Sequence, residues 1–457
     1  MARRRKNRQP LSLTIDRIDN KGVSGVTEDG ARWLVKGAPI GATVTAWPGR
    51  KGKATLTTVD SLPDDAIDPT CPVFGTCGGC QLQQMPLPRQ RAEKQALVTR
   101  VVGDTTGVTV HPIGGTEHAY GYRNKVELSF GRRQYVPEHL KDDPTIPREG
   151  DFMGFHPRGW FSRIVPVDGC PLASDDMNRA IKVVSEARLG PAWDNQTHTG
   201  HWRHVVVRQG ENGVLVVLVT SSAVDPAAVR GIGQQLAALA VVSGVAWVVT
   251  DRLSEVAEGD MAEVLYGEPW LDMPTGKQTL RLPHDGFFQV NTPATSMLLD
   301  AITAALQPPA AGGGQLLDLY CGVGAIGLHL ADRFAEVIGI ELNPASIVCA
   351  RENAARLGVE STWHAGKVEA VLPTLPRDRR RWIVVDPPRA GLHPAAARFL
   401  AEQDAEVLVY VACNPASLGR DRAILEAGRW TMEALWSVDL FPQTPHVEAI
   451  ARFIPRS

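Results

Sequence analysis

The alternation of apolar and polar positions changes character along the 457-residue chain. Over residues 10–60 it runs in short period-two stretches: Leu11-Ser12-Leu13-Thr14-Ile15, Val23 to Val26, Arg32-Trp33-Leu34-Val35 and Ala42 to Trp47. Asn-Lys-Gly, Glu-Asp-Gly and Pro-Gly turns separate them. Successive side chains of a strand face opposite ways, so this pattern predicts a small β-barrel. Residues 62–70 are acidic and Pro-rich, as in a linker. Residues 87–102 read as a helix with Arg89, Arg91, Lys94 and Arg100 on its surface. Between 120 and 285, strands (Lys125–Phe130, His204–Arg208, Val214–Thr220, Val245–Thr250) alternate with helices (174–188, 225–240), an α+β pattern with a loop at 140–150. From about residue 286 strict strand–helix alternation begins. Strands at Leu316–Leu319, Val337–Glu341, Trp382–Asp386 and Val407–Ala412 alternate with helices at 325–333, 344–357 and 394–403, which predicts a doubly wound parallel sheet. A Pro- and Gly-rich run, 308–314, leads into it. The expected organisation is therefore a multidomain α/β protein: a basic tail (1–9), a barrel (10–61), a central α+β domain (62–285) and a Rossmann-like domain (286–457).

Composition narrows the class. With 44% hydrophobic and 21% charged residues, the chain has the make-up of a globular protein. No stretch reaches the 18 or so uninterrupted apolar residues of a membrane span, because Ser243 and Gly244 break the most apolar run at 234–249. The opening Met-Ala-Arg-Arg-Arg-Lys leads into no apolar segment, which excludes a secretory signal and points to the cytoplasm. Seven cysteines, an odd number, argue for metal binding or catalysis rather than a disulfide framework. Net charge is −2, yet residues 1–62 hold 12 Lys/Arg against 5 Asp/Glu. That end of the chain would attract phosphates, although a solvated tail (Arg3, Arg4, Arg5, Lys6, Arg8) contributes much of the excess. Gly121-Tyr122-Arg123-Asn124-Lys125 sets cations beside aromatics, which suits RNA.

Candidate chemistry lies mostly in the last domain. Gly322-Val323-Gly324-Ala325-Ile326-Gly327 matches Gly-x-Gly-x-x-Gly, which lets a turn approach a ligand closely, but nicotinamide and adenosylmethionine sites share it. Glu341 ends the second strand, where a carboxylate accepts ribose hydroxyls. Asp318 precedes the glycines. A carboxylate there suits the ammonium of a methionine moiety and would repel a pyrophosphate. Asp386-Pro387-Pro388-Arg389 ends a third strand with a further acid. Cys413 follows the strand Val407–Ala412, and Asn414-Pro415 turns the chain sharply at the sheet edge, where open α/β folds place their ligands. If the closing strand, about Val447 to Ile454, runs antiparallel as in methyltransferase sheets, Glu448 shares that edge. A thiolate and a carboxylate around one base suit carbon-5 methylation of uracil: the thiolate adds to carbon 6, and the carboxylate removes the carbon-5 proton. Far upstream, Cys71-x5-Cys77-x2-Cys80 with Cys170-Pro171 offers four thiolates, suited to zinc or to an iron–sulfur cluster.

These strings resemble the RNA (uracil-5-)-methyltransferases, and within them the TRAM-domain, iron–sulfur members that modify 23S rRNA. The resemblance rests on Gly286-Phe287-Phe288-Gln289-Val290-Asn291, Asp318 to Gly324, Asp386 to Gly391, Cys413 to Asp421 and His446-Val447-Glu448. It covers residues 286–457 and extends more weakly over the rest. It implies a TRAM-like (OB-type) barrel, S-adenosylmethionine as cofactor, Cys413 as nucleophile and Glu448 as base. Gln289, Tyr320, Glu341 and Asp386 are implied to contact cofactor or uracil, and Cys71, Cys77, Cys80 and Cys170 to hold a [4Fe-4S] cluster, with zinc the alternative. One position departs: Ala325 stands where the family usually carries Asn or another polar residue, so one cofactor hydrogen bond is missing. The expected partner is RNA, ribosomal before transfer RNA, with no membrane, and the chain is expected to act as a monomer. Two rivals remain: a nicotinamide-dependent oxidoreductase, which leaves Cys413 and Glu448 unexplained, and a non-catalytic RNA-binding protein, against which the presence of both residues speaks.

Overall fold

The structure is a computed structural model that describes residues 9–19, 22–309, 312–376 and 379–456. The basic tail expected at 1–9 therefore lies almost wholly outside the described residues. The chain packs as two compact units. The first draws on residues within 1–75, 80–117 and 387–457, the second on 76–79 and 118–386.

In the first unit, five strands close a barrel: Leu11–Asp19, Gly22–Val26, Arg32–Val35, Thr43–Pro48 and Lys53–Ser61, with the last inserted between the third and fourth. Leu13, Ile15, Ile18, Val23, Val35 and Val44 fill it, each almost fully buried, as the period-two pattern requires. The fifth strand escapes that pattern because its face is nearly all exposed. The same unit contains the strands Val407–Ala412, Glu448–Pro455 and Trp430–Asp439, paired antiparallel in that order. Short strands at Thr109–Val110 and Gly114–Gly115 add on beside Trp430–Asp439.

The helix Leu87–Val102 forms where expected, with Arg100 exposed and Arg89 and Arg91 partly so, but Lys94 turns inward. Lys94 is fully buried, donating to Asp439 Oδ1 at 2.5 Å and to the Phe441 carbonyl at 2.9 Å. Arg89 pairs with Asp65, Arg91 donates to the Thr116 carbonyl and Arg100 to the Ile18 carbonyl. Helical periodicity alone misplaces Lys94 because its partner lies 345 residues further on. Beside this helix runs Pro415–Ala427. At Gly419 a Cβ would come within 2.2 Å of the Val101 carbonyl oxygen, so only glycine permits the approach.

The second unit has a seven-stranded mixed sheet, ordered Val165–Pro166, Glu149–Phe155, Lys125–Arg133, Trp202–Gly210, Gly213–Thr220, Val242–Val249, Asp260–Gly267. Its core is the Val- and Leu-rich faces of these strands under the helices Asp175–Glu186 and Pro226–Ala237. The same unit holds four parallel strands, ordered Thr362–Ala365, Glu336–Glu341, Gln315–Leu319, Arg381–Val385. The near-continuous apolar runs of the last three fit strands covered on both faces, while Thr362–Ala365 at the edge is only partly buried. Among the described residues no helix is long and apolar enough to cross a membrane.

Candidate active site

In the second unit, three acids gather at the carboxyl ends of the parallel strands. Asp318 is fully buried. Its Oδ2 accepts the Gly327 amide at 2.8 Å, while Oδ1 has no hydrogen-bond partner among the described residues. Loss of hydration pushes Asp318 up to about 7, and the charge of Glu341 adds to the shift against the Gly327 bond. Asp386 is likewise pushed up to about 7, first by loss of hydration and then by Asp318. Glu341 is held by two amides, Asn343 at 2.8 Å and Gly322 at 3.3 Å. A buried acceptor without a donor, beside a second acid, is a place prepared for a cation.

The glycine turn takes up left-handed backbone. Tyr320 takes φ 63°, Gly322 φ 54° and Gly324 φ 82°. A Cβ on Gly322 would meet nothing within 4 Å, whereas one on Gly324 would strike the Trp363 ring at 2.7 Å. Gly322 thus borders open space, and Gly324 serves packing. The Ala325–Leu330 helix starts directly after it.

Gln289 lies in a segment that has no regular structure, yet it is fastened. Asn124 Nδ2 donates to the Gln289 carbonyl at 2.8 Å and its amide to the Val290 carbonyl at 2.9 Å. Arg208 reaches the His284 and Gly286 carbonyls at 2.8 and 2.7 Å, and its burial lowers its pKa to about 10. The Gly121–Lys125 string expected to face RNA is thereby reassigned. Tyr122 and Asn124 are buried, and the string braces the Gln289 segment.

In the first unit, Cys413 and Glu448 meet through strand register. Ala412 pairs with Ala449 at the end of the antiparallel ladder, so the next residue on each strand sets Cys413 across from Glu448. Glu448 is buried and also pairs with Val438. Cys413 is half-buried and lines a cavity of about 330 Å³ with Gly22, Gln81, Arg389, Asn414, His446 and Val447 among its walls. Asn414 Nδ2 donates to the Arg389 carbonyl at 2.9 Å, and Arg389 bonds His446 Nδ1 at 3.0 Å. Asp421 ties the wall together: it accepts the Tyr410 hydroxyl and the Leu392 amide, both at 2.7 Å.

Behind the cavity, the loop before Glu448 is pinned from the helix Leu87–Val102. Gln90 exchanges side-chain bonds with Gln443 on both of its amide atoms, at 2.8 and 2.9 Å, and Lys94 holds Asp439. Gln81, Gln90 and Lys94 were not legible as site residues, because nothing in their local sequence points to residues 439–447.

The four candidate metal cysteines are half-buried. Cys71 and Cys80 belong to the first unit, Cys77 and Cys170 to the second. Among the described residues, no group of three or more His, Cys, Asp or Glu is arranged to hold a metal ion. Locally, the Gly79 amide donates to Cys77 Sγ at 3.4 Å, and Asn178 clamps the Cys170 backbone through its amide (2.8 Å) and carbonyl (3.1 Å).

Comparison with known proteins names the family. An RNA methyltransferase of Chlorobaculum tepidum, itself uncharacterized, is 32% identical over 97% of this chain and 96% of its own length. Relatives of the same description from Halalkalibacterium halodurans and Nitratidesulfovibrio vulgaris are 31% and 32% identical over nearly full length. Residues 376–453 match the tRNA (uracil-5-)-methyltransferase family, and residues 316–404 a methyltransferase domain. The chain belongs to the RNA uracil-5-methyltransferase family. The fold agrees: the crystal structure of Pyrococcus abyssi tRNA (uracil-54, C5)-methyltransferase with S-adenosyl-L-homocysteine superposes with a TM-score of 0.74. That likeness covers 97% of this chain and all of the other, at 23% identity.

Proposed function

We propose that this RNA methyltransferase methylates carbon 5 of a uridine, in 23S rRNA, through a covalent bond between Cys413 and carbon 6. The observation that carries the reading is the ladder that sets Cys413, which lines a cavity of about 330 Å³ with room for one base, opposite buried Glu448. Carbon 5 of uracil is a weak nucleophile. Addition of the Cys413 thiolate to carbon 6 moves electron density onto carbon 5. S-adenosylmethionine, when bound, supplies the methyl group. Glu448 then takes the carbon-5 proton, and elimination returns the Cys413 thiolate and restores the ring.

Asp318, Glu341, Asp386, Gly322 and Gly324, with Tyr320, would hold the cofactor, and Gln289 the cofactor or the uracil edge. The unpartnered Asp318 Oδ1 fits its ammonium, and the tethered Glu341 fits ribose hydroxyls. Ala325 offers no side-chain hydrogen bond there. The basic barrel (residues 10–61) would be the TRAM-like RNA-binding domain, ahead of a central domain at 62–285. The cysteine spacing, and the Gly79 amide aimed at Cys77 Sγ, support a [4Fe-4S] cluster with a structural role, zinc being the alternative. Metal analysis of anaerobically purified protein decides: four irons with visible absorbance are expected, and a colourless zinc protein would remove the cluster.

The mechanism is tested by trapping. Glu448→Gln should accumulate a protein–RNA adduct that survives denaturing electrophoresis, and Cys413→Ala should form none and methylate nothing. Full methylation by Cys413→Ala would end the covalent reading.

A further inference from the structure

The second unit presents a second chemistry, on residues given no role above. In the loop after the strand Glu149–Phe155, Trp160 and Phe161 are consecutive and 58% and 70% exposed. The loop does not simply splay into solvent. Pro157 and Trp160 close one turn (3.2 Å) and Trp160 and Arg163 the next (3.3 Å). His156 Nδ1 bonds the Arg163 carbonyl at 2.9 Å, and Asn195 Nδ2 bonds the Phe161 carbonyl at 2.8 Å. The His156 and Phe161 rings lie 6.0 Å apart. A fixed loop that holds two large rings in water is a binding device rather than a packing fault.

The loop carries two cations, Arg158 and Arg163, and no acid between residues 156 and 163. Arg163 has no ion-pair partner among the described residues, and rests on the Gln134 carbonyl at 3.3 Å. Flat rings flanked by guanidinium groups match unpaired nucleotides, whose bases stack on aromatics while phosphates meet the cations. A duplex offers no base faces to such rings.

The base of the loop is tied to the cysteine segment. Cys77 forms an antiparallel bridge with Pro157, and the Gly78 amide donates to the His156 carbonyl at 3.0 Å. A Cβ on Gly78 would come within 2.9 Å of that carbonyl oxygen, so the contact needs glycine.

From these observations we infer that the Pro157–Arg163 loop is a stacking platform for unpaired bases of the RNA substrate, held in shape by the Cys77-Gly78 segment. The inference rests on RNA as substrate, but not on the covalent chemistry.

The test is fluorescence anisotropy of the full-length protein with two labelled probes, a 12-nucleotide unpaired RNA and a blunt RNA duplex. Trp160→Ala with Phe161→Ala should weaken binding of the unpaired probe by about ten-fold or more, the scale of base–aromatic stacking. Duplex binding, adenosylmethionine affinity and the salt dependence should stay as in the natural protein, because no phosphate contact is lost. Trp160→Tyr should restore most of the affinity. Unchanged affinity for the unpaired probe would overturn the inference and leave the rings to a protein partner. An equal loss on the duplex would also overturn it. Failure of the covalent chemistry would show instead as methylation by Cys413→Ala, with the anisotropy result unaffected.

Discussion

Asp318 and Asp386 make the proposed cofactor site sensitive to pH. Both carboxyls titrate at about 7 in the folded chain, against 3.8 for a free aspartate, with burial as the leading cause. A group with a raised folded-state value takes up a proton on folding between the two values. It therefore costs stability progressively as pH rises from about 4 to 7. A bound ammonium favours the ionised form and reverses that cost. Adenosylmethionine affinity should accordingly rise as pH goes from 6 to 8, with proton release detectable by calorimetry in buffers of different ionisation heat. Asp318→Asn should weaken binding ten-fold or more, on the order of 1.5–3 kcal/mol for a charged hydrogen bond, and flatten the profile. An unaltered profile in Asp318→Asn would remove this residue from the cofactor site. The two turn glycines should part company. Gly324→Ala combines φ 82° with a Trp363 clash and should lose at least about 1–2 kcal/mol in thermal or denaturant unfolding. Gly322→Ala meets open space and carries only the strain of φ 54°, so it should lose less stability than Gly324→Ala and show its further loss in cofactor affinity.

At the scale of elements, the helix Leu87–Val102 supports the loop that ends at Glu448. Lys94 and Asp439 are both fully buried, and burial lowers the lysine's pKa against the pull of Asp439. Lys94→Met strands a buried carboxylate and should cost about 3–5 kcal/mol in chemical denaturation. Pairing it with Asp439→Leu should recover much of that loss. If the double variant is no more stable than the single, the ion pair is not what holds the helix. The helix itself was legible from period 3.6, but its inward lysine was not, since a lone cation in an amphipathic pattern reads as exposed. Long strands with buried faces, such as Gly213–Thr220 and Val407–Ala412, were legible in the same way; the short Trp270–Pro274 and Thr279–Pro283 were not. Lys53–Ser61 was not, having almost no buried face, nor was Trp430–Asp439, whose alternation breaks at a register shift between Met432 and Ala434.

For the whole molecule, the candidate site residues were readable because they are rare types at strand ends: a cysteine before Asn-Pro, and acids ending successive strands. The register that sets Cys413 across from Glu448 was reachable only by taking the last strand as antiparallel, which the ladder shows. What no local string encodes is long-range bracing: Gln90 on Gln443, Lys94 on Asp439, Asn124 and Arg208 on the Gln289 segment. The Tyr122 string was misread for this reason, as an RNA surface rather than a brace.

The measurement to make first is nucleoside mass spectrometry of ribosomal and transfer RNA from cells carrying Cys413→Ala in place of the natural gene. Loss of 5-methyluridine at one 23S rRNA uridine is the expected result. Loss in transfer RNA instead would keep the chemistry and replace the substrate. Unchanged 5-methyluridine at every position would contradict the proposed reaction.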